Sequence, residues 1–80
     1  MSKISFEEFA REIANDLEIR DGQILTLDLK DIPQYDSLGK LTVSLTIENL
    51  FGFQIDYSIL DKADTIHSLY EYSINRANRG

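Results

Sequence analysis

The stretch from Asp36 to Gly52 limits what this chain can fold into more than any other. Asp36 and Ser37 are both good helix N-caps, and Gly52 stands where helices commonly end. The spacing predicts a helix over 37–51. With about 100° of turn per residue, Val43, Ile47, Leu50 and Phe51 form one apolar stripe, and Leu38, Leu41 and Leu45 form another on nearly the opposite side. An ordinary surface helix has one such stripe. One of the two faces the core, and the other either meets a second part of the fold, making this a central helix, or stands exposed for a partner. Glu48 and Asn49 continue the Leu38, Leu41, Leu45 side, which favours exposure. Ser37 falls beside that second stripe.

A chain of 80 residues makes a single domain, 1–80, with one core. It contains no cysteine, which excludes a disulfide framework, a thiolate metal site and a catalytic thiol. Stability must come from packing. His67 is the only histidine and has no second imidazole or cysteine beside it, so no metal site is expected and His67 reads as a surface or half-buried helix residue. The start, Met-Ser-Lys-Ile-Ser, lacks the apolar run of a signal peptide, and no stretch approaches the roughly 18 apolar residues of a membrane span. A cytoplasmic protein is expected. A formal net charge of -6, with eight lysines and arginines scattered along the chain, argues against a nucleic-acid binder, which gathers its cations into a patch. Acidic surfaces serve solubility and favour basic protein partners.

Ser5 followed by Glu8 is a capping-box signature, and behind it Phe6, Phe9, Ile13 and Leu17 recur at helical spacing. The first helix is therefore placed at 6–17. Asp21-Gly22 breaks the pattern, and Leu25, Leu27 and Leu29 then alternate with Thr26, Asp28 and Lys30 in the manner of a strand. A lone strand would leave its backbone groups unpaired, which favours a long loop pinned onto the helices by those leucines. Loops of this length in small domains are usually functional. Ile32-Pro33 keeps the chain extended up to Tyr35. After Gly52, Phe53 and Ile55 read as core anchors, and 57–61 has room for a short helical turn. Asp64 and Thr65 offer caps for a last helix over 65–76, with Ile66, Leu69, Tyr70 and Ile74 facing inward, Arg76 and Arg79 suiting its C-terminal dipole, and fraying from Asn78 to Gly80. The fold class is all-α: three main helices, one short helix and a long first loop.

Little in the chain is equipped for catalysis. Ser37 as a nucleophile would need a base within hydrogen-bond reach, and only His67 could serve, with nothing in the spacing to bring it there. The Asp and Glu residues are unpatterned, and the glycines stand singly rather than in a phosphate-binding loop. No enzyme is expected. A serine at a helix start is nevertheless a good place to carry a phosphodiester, because the free N–H groups and the positive end of the helix dipole favour the added charge. A serine or aspartate there is also, far more commonly, only a cap.

Asp36-Ser37-Leu38, followed at fixed offsets by Leu41, Val43, Ile47-Glu48, Phe51, Ile55, Thr65-Ile66, Tyr70 and Tyr72, resembles the acyl carrier proteins over about Phe6 to Tyr72. The resemblance implies a four-helix bundle with a minor third helix. It also implies that Ser37 is esterified by 4'-phosphopantetheine, taken from coenzyme A by a phosphopantetheinyl transferase, and that the arm's thiol holds cargo as a thioester. Asp36 and Leu38 would assist the transferase. Leu41, Thr42, Leu45 and Glu48 would meet an acyl- or aminoacyl-activating ligase and a downstream synthase or transferase, with the carrier acting as a monomer.

The departures from that family are informative. Acyl carriers of fatty-acid synthesis usually bear acids at the positions of Gly39, Thr42 and Asn49, whereas Lys40 and Glu48 are the only charges from Ser37 to Phe51. A formally neutral helix points away from the basic docking sites of fatty-acid enzymes and toward a polyketide, aminoacyl or other specialised pathway. The glycine-rich segment usual before the serine of peptidyl carriers is replaced by Ile32-Pro33-Gln34-Tyr35. Gly39 has low helix propensity for a first turn, and either leaves room near the arm or has no role. An unmodified helical interaction module remains the alternative.

Overall fold

Every described element is helical. The computed structural model describes residues 4–26 and 28–79, in which α1 (Phe6–Leu17), α3 (Ser37–Phe51) and α5 (Ile66–Arg79) are the main helices. Two short helices, α2 (Asp21–Thr26) and α4 (Tyr57–Lys62), and a 3-10 turn (Leu29–Asp31) lie between them. There is no strand among the described residues. The Cα radius of gyration is 11.4 Å, close to the roughly 12 Å of a compact chain of this length. Among the described residues no helix is long and apolar enough to cross a membrane.

The first helix forms as its pattern dictates. Ser5 Oγ accepts a hydrogen bond from the Glu8 N–H at 3.1 Å, and Phe9, Ile13 and Leu17 are buried with Ala10 and Ala14. Phe6, at the edge, is half-buried and stacks on His67 with ring centroids 4.5 Å apart. Glu18 ends the helix in a left-handed conformation, φ 58°, its N–H bonding back to Ala14 and Asn15 carbonyls.

The segment after it departs from the loop reading. Asp21-Gly22 opens α2 rather than breaking the chain, and Ile24, not Leu25, is the residue that goes inside. Leu25 is 53% exposed. Leu27 lies outside the described residues. Six residues cannot hold a helix by themselves, so α2 exists because Ile24 is buried against its neighbours. Alternation misled here because Ile24, which it passes over, is buried while Leu25, which it includes, is exposed. Leu29 does pin the segment: its side chain is fully buried and its N–H donates to the Asp64 carbonyl at 2.8 Å. Ile32 and Tyr35 are buried as well. The long connection is thus tied down at Ile24, Leu29, Ile32 and Tyr35.

Later elements follow their periodicity with small extensions. Val43 and Ile47 of α3 are buried while Leu50 and Phe51 are half-buried against the core. Ile55 is buried and Phe53 half-buried, with the Arg76 guanidinium 5.4 Å from the Phe53 ring centroid. Thr65 Oγ1 caps α5 by accepting from the Ser68 N–H at 3.1 Å. That helix continues to Arg79 instead of stopping at residue 76 or fraying from Asn78, and Gly80 lies outside the described residues. Ile66 and Leu69 are buried, with Tyr70 and Ile74 half-buried. Ser73 is fully buried too, since its hydroxyl donates to the Leu69 carbonyl at 2.9 Å and so leaves no unpaired polar atom inside.

Candidate functional site

The end of the long connection and the start of α3 build the candidate site. Tyr35 is buried, and its hydroxyl donates to the Leu60 carbonyl of α4 at 2.7 Å. Asp36 follows in an extended conformation, and its Oδ1 accepts from the Gly39 N–H at 2.9 Å. Asp36 is therefore the cap. Ser37, the first helical residue, is exposed and is not needed for that task. Of two residues equally suited to capping, the fold uses one and leaves the other's hydroxyl at the positive end of a fifteen-residue helix.

Gly39 has a definite role. It is buried, and a Cβ built on it would overlap the Gln34 carbonyl oxygen and approach Leu17 Cδ2 to 3.3 Å. The missing side chain lets the connection cross directly over the first turn of α3, next to the end of α1. That crossing sets where Asp36 and Ser37 stand.

The second apolar stripe of α3 is open. Leu38 is 73% exposed, Leu41 52% and Leu45 60%, so α3 is not buried on both sides. Thr42 and Glu48 flank the stripe half-buried, and Thr42 Oγ1 donates to the Leu38 carbonyl at 3.1 Å. On the α1 side, buried Thr46 donates its one hydroxyl proton to the Asp16 carboxylate, with the Thr42 carbonyl as a second acceptor 3.1 Å away, joining α3 to α1. Between the two helices at the foot of α3 lies an open cleft of about 250 Å³ lined by Asp16, Leu17, Gln34, Asp36, Leu38, Gly39 and Thr42. The cleft is adjacent to Ser37 and mixes polar and apolar walls.

On the α4 side, Lys40 Nζ sits 2.7 Å from Asp61 Oδ1 and over the rings of Tyr35 and Tyr57, at 5.6 and 5.9 Å from their centroids. Burial, then the nearby Asp61 charge and Tyr57, push the Tyr35 phenol above its ordinary value of 10.0. The hydrogen bond to Asp61 raises the Lys40 ammonium above 10.5, outweighing the partial loss of water that lowers it. The sequence gives no sign of this cluster, because Lys40 and Asp61 are joined only by the fold.

His67 is not brought to Ser37. It is exposed on α5 against Phe6 at the start of α1, whereas the cleft beside Ser37 adjoins the other end of that helix, about 16 Å away along its axis. Among the described residues, Ser37, Leu38, Leu41, Thr42, Leu45 and Glu48 do share one side of α3, with Asp36 at its foot. Compared with protein-family models, with curated proteins and with solved structures, the chain matches none.

Proposed function

We propose that this chain is an acyl carrier protein: a non-catalytic, cytoplasmic monomer that bears 4'-phosphopantetheine on Ser37 and passes acyl or aminoacyl groups between biosynthetic enzymes. The observation that carries the reading is the state of Ser37, exposed at the start of α3, relieved of capping by Asp36 and set beside the uncovered Leu38, Leu41 and Leu45. The sequence pattern from Phe6 to Tyr72 supports it. So does the order of helix, long connection, helix, short helix, helix, which fits a carrier-type four-helix bundle with α2 inside the connection.

The residues present suit the group. A phosphodiester on Ser37 Oγ meets the free N–H groups and positive dipole of α3, and the neighbouring cleft leaves space alongside. When bound, the arm supplies the thiol that a cysteine-free chain lacks, to hold cargo as a thioester. In the transfer, Ser37 Oγ forms a bond to the phosphorus that carries pantetheine, the pyrophosphate bond of coenzyme A breaks, adenosine 3',5'-bisphosphate leaves, and the hydroxyl proton passes to the transferase's base. No base of this chain is required, in keeping with the distance of His67. Leu41, Thr42, Leu45 and Glu48 form the side read by the ligase and the downstream synthase or transferase, with a specialised pathway favoured by the low charge of α3.

A second reading rests on the same uncovered stripe, an unmodified helical module that binds a protein through Leu38, Leu41 and Leu45. Incubation with coenzyme A and a broad-specificity phosphopantetheinyl transferase, followed by intact mass measurement, separates the two. The wild type is expected to gain one phosphopantetheine and Ser37→Ala none. An unmodified wild type, or equal gain by the variant, would leave the interaction module standing.

A further inference from the structure

Two ways lead from Ser37 along α3, one on the side of α4 and one on the side of α1, and the fold treats them differently. Toward α4 the way is occupied by side chains. Buried Tyr35 donates its hydroxyl to the Leu60 carbonyl at 2.7 Å, and Lys40 reaches Asp61 at 2.7 Å while lying over the rings of Tyr35 and Tyr57. Toward α1 the surface is hollow. The cleft of about 250 Å³ starts at Asp36 and Leu38, which flank Ser37, and is walled by Gln34 of the connection and by Asp16 and Leu17 of α1. Its upper edge is Thr42, five residues and so about 7.5 Å up the helix axis from Ser37. The walls offer mainly acceptors. Asp16 receives the Thr46 hydroxyl on Oδ2 and Asp36 the Gly39 N–H on Oδ1, which leaves the other oxygen of each carboxylate open to a further donor. Thr42 Oγ1 has given its proton to the Leu38 carbonyl and presents lone pairs. The Gln34 side-chain amide can both donate and accept.

We propose that this cleft on the α1 side is the seat of the pantetheine part of the arm on Ser37. The inference rests on the carrier reading and deepens it. Pantetheine is a neutral chain with a dimethyl carbon near its phosphate end, a hydroxyl and two amides, and the walls match those groups. Leu38 and Leu17 give the methyls apolar contact, Thr42 and Asp16 accept from the amide N–H groups, and Gln34 donates to an amide carbonyl. The two carboxylates do not oppose the seat, because the arm's charge is confined to the phosphate at the helix start, where the N–H groups of α3 meet it. Contacts of this kind are weak in water. A short tether nevertheless presents the arm at an effective concentration of the order of millimolar, so a seat too weak to hold free pantetheine is still well filled and still gives the arm up to a partner.

Amide chemical shifts of the 15N-labelled wild type before and after loading by the transferase test the seat without any downstream enzyme. Residues next to Ser37 move in any case. The seat predicts that Asp16, Leu17, Thr42 and the Gln34 side-chain amide move as well, that Tyr57, Leu60 and Asp61 stay in place, and that nuclear Overhauser contacts join the arm's methyls to those of Leu17 and Leu38. In loaded Thr42→Val or Gln34→Ala the ratio of seated to free arm is expected to fall about fivefold, the worth of one hydrogen bond, read as shrinking shifts at Asp16 and Leu17. Spectra of the unloaded variants that overlay the wild type's show that the fold is kept. Shifts confined to the neighbours of Ser37, or found at Tyr57, Leu60 and Asp61 instead, overturn the seat and leave the carrier reading intact. A wild type that never gains phosphopantetheine overturns the carrier reading, and the seat with it.

Discussion

Asp36 offers a helix start an anionic carboxylate and Ser37 a neutral hydroxyl, and although both are good caps the fold gives them separate tasks. With the cap made by Asp36 Oδ1 to the Gly39 N–H at 2.9 Å, Asp36→Ala is expected to cost about 1 kcal/mol, the usual worth of an N-cap. Ser37→Ala is expected to stay within about 0.5 kcal/mol of wild type, as for an exposed side chain outside any such feature. Urea unfolding of both variants checks this, and a Ser37→Ala loss equal to that of Asp36→Ala would return the serine to capping. The same comparison guards the mass experiment, because an unmodified but fully stable Ser37→Ala has lost the attachment point and not the fold. Gly39 is a second case of a residue with one demand on it. Its weak helix propensity is outweighed by the Gln34 carbonyl that occupies the space of a Cβ.

At the scale of elements, the connection between α1 and α3 is held by a few deep anchors rather than by its leucines as a set. Leu29→Ala is expected to destabilise the protein by about 2–5 kcal/mol, the range for emptying a fully buried leucine site, since Leu29 is completely enclosed. Leu25→Ala is expected to cost under about 1 kcal/mol, because most of that side chain already lies in water and little apolar area is lost. Thermal or urea unfolding of the pair measures the contrast, and equal losses would mean that the connection is pinned as its alternation implies. The anchors reach beyond their own segment: Leu29 bonds to Asp64 before α5, and Tyr35 to Leu60 in α4. The α4 helix and the approach to α5 are thereby fastened to the connection that precedes Ser37.

For the molecule as a whole, those fastenings predict a limit at alkaline pH. Tyr35 is neutral in the fold, and its phenol is held above the ordinary 10.0 chiefly by burial. Above that pH the unfolded chain releases the proton and the folded chain keeps it, so stability that is complete below about pH 10 falls as pH rises further. Lys40 acts in the same direction, since its raised value keeps the pair with Asp61 intact until the ammonium itself titrates. Tyr35→Phe is expected to lose about 1–2 kcal/mol at neutral pH, from the unpaired Leu60 carbonyl, and to show a shallower decline above pH 10. Unfolding free energies measured between pH 7 and 11 decide it. A wild-type profile that stays flat to pH 11 would remove Tyr35 from this account.

What the sequence determined by itself was local or periodic: the capping box at Ser5, the apolar stripe of α1, the two apolar sides of α3 and its stop at Gly52. These follow from residue spacing and from backbone groups a few positions apart, so no distant atom is needed to read them. Only the tertiary structure decided which side of α3 is uncovered, that Asp36 and not Ser37 is the cap, that Gly39 makes way for Gln34, and that Ile24 makes a helix inside the loop. It also decided where the charge of Lys40 goes. Each of these depends on groups delivered from another element, and burial, close approach and ion pairing are properties of that meeting rather than of either segment alone.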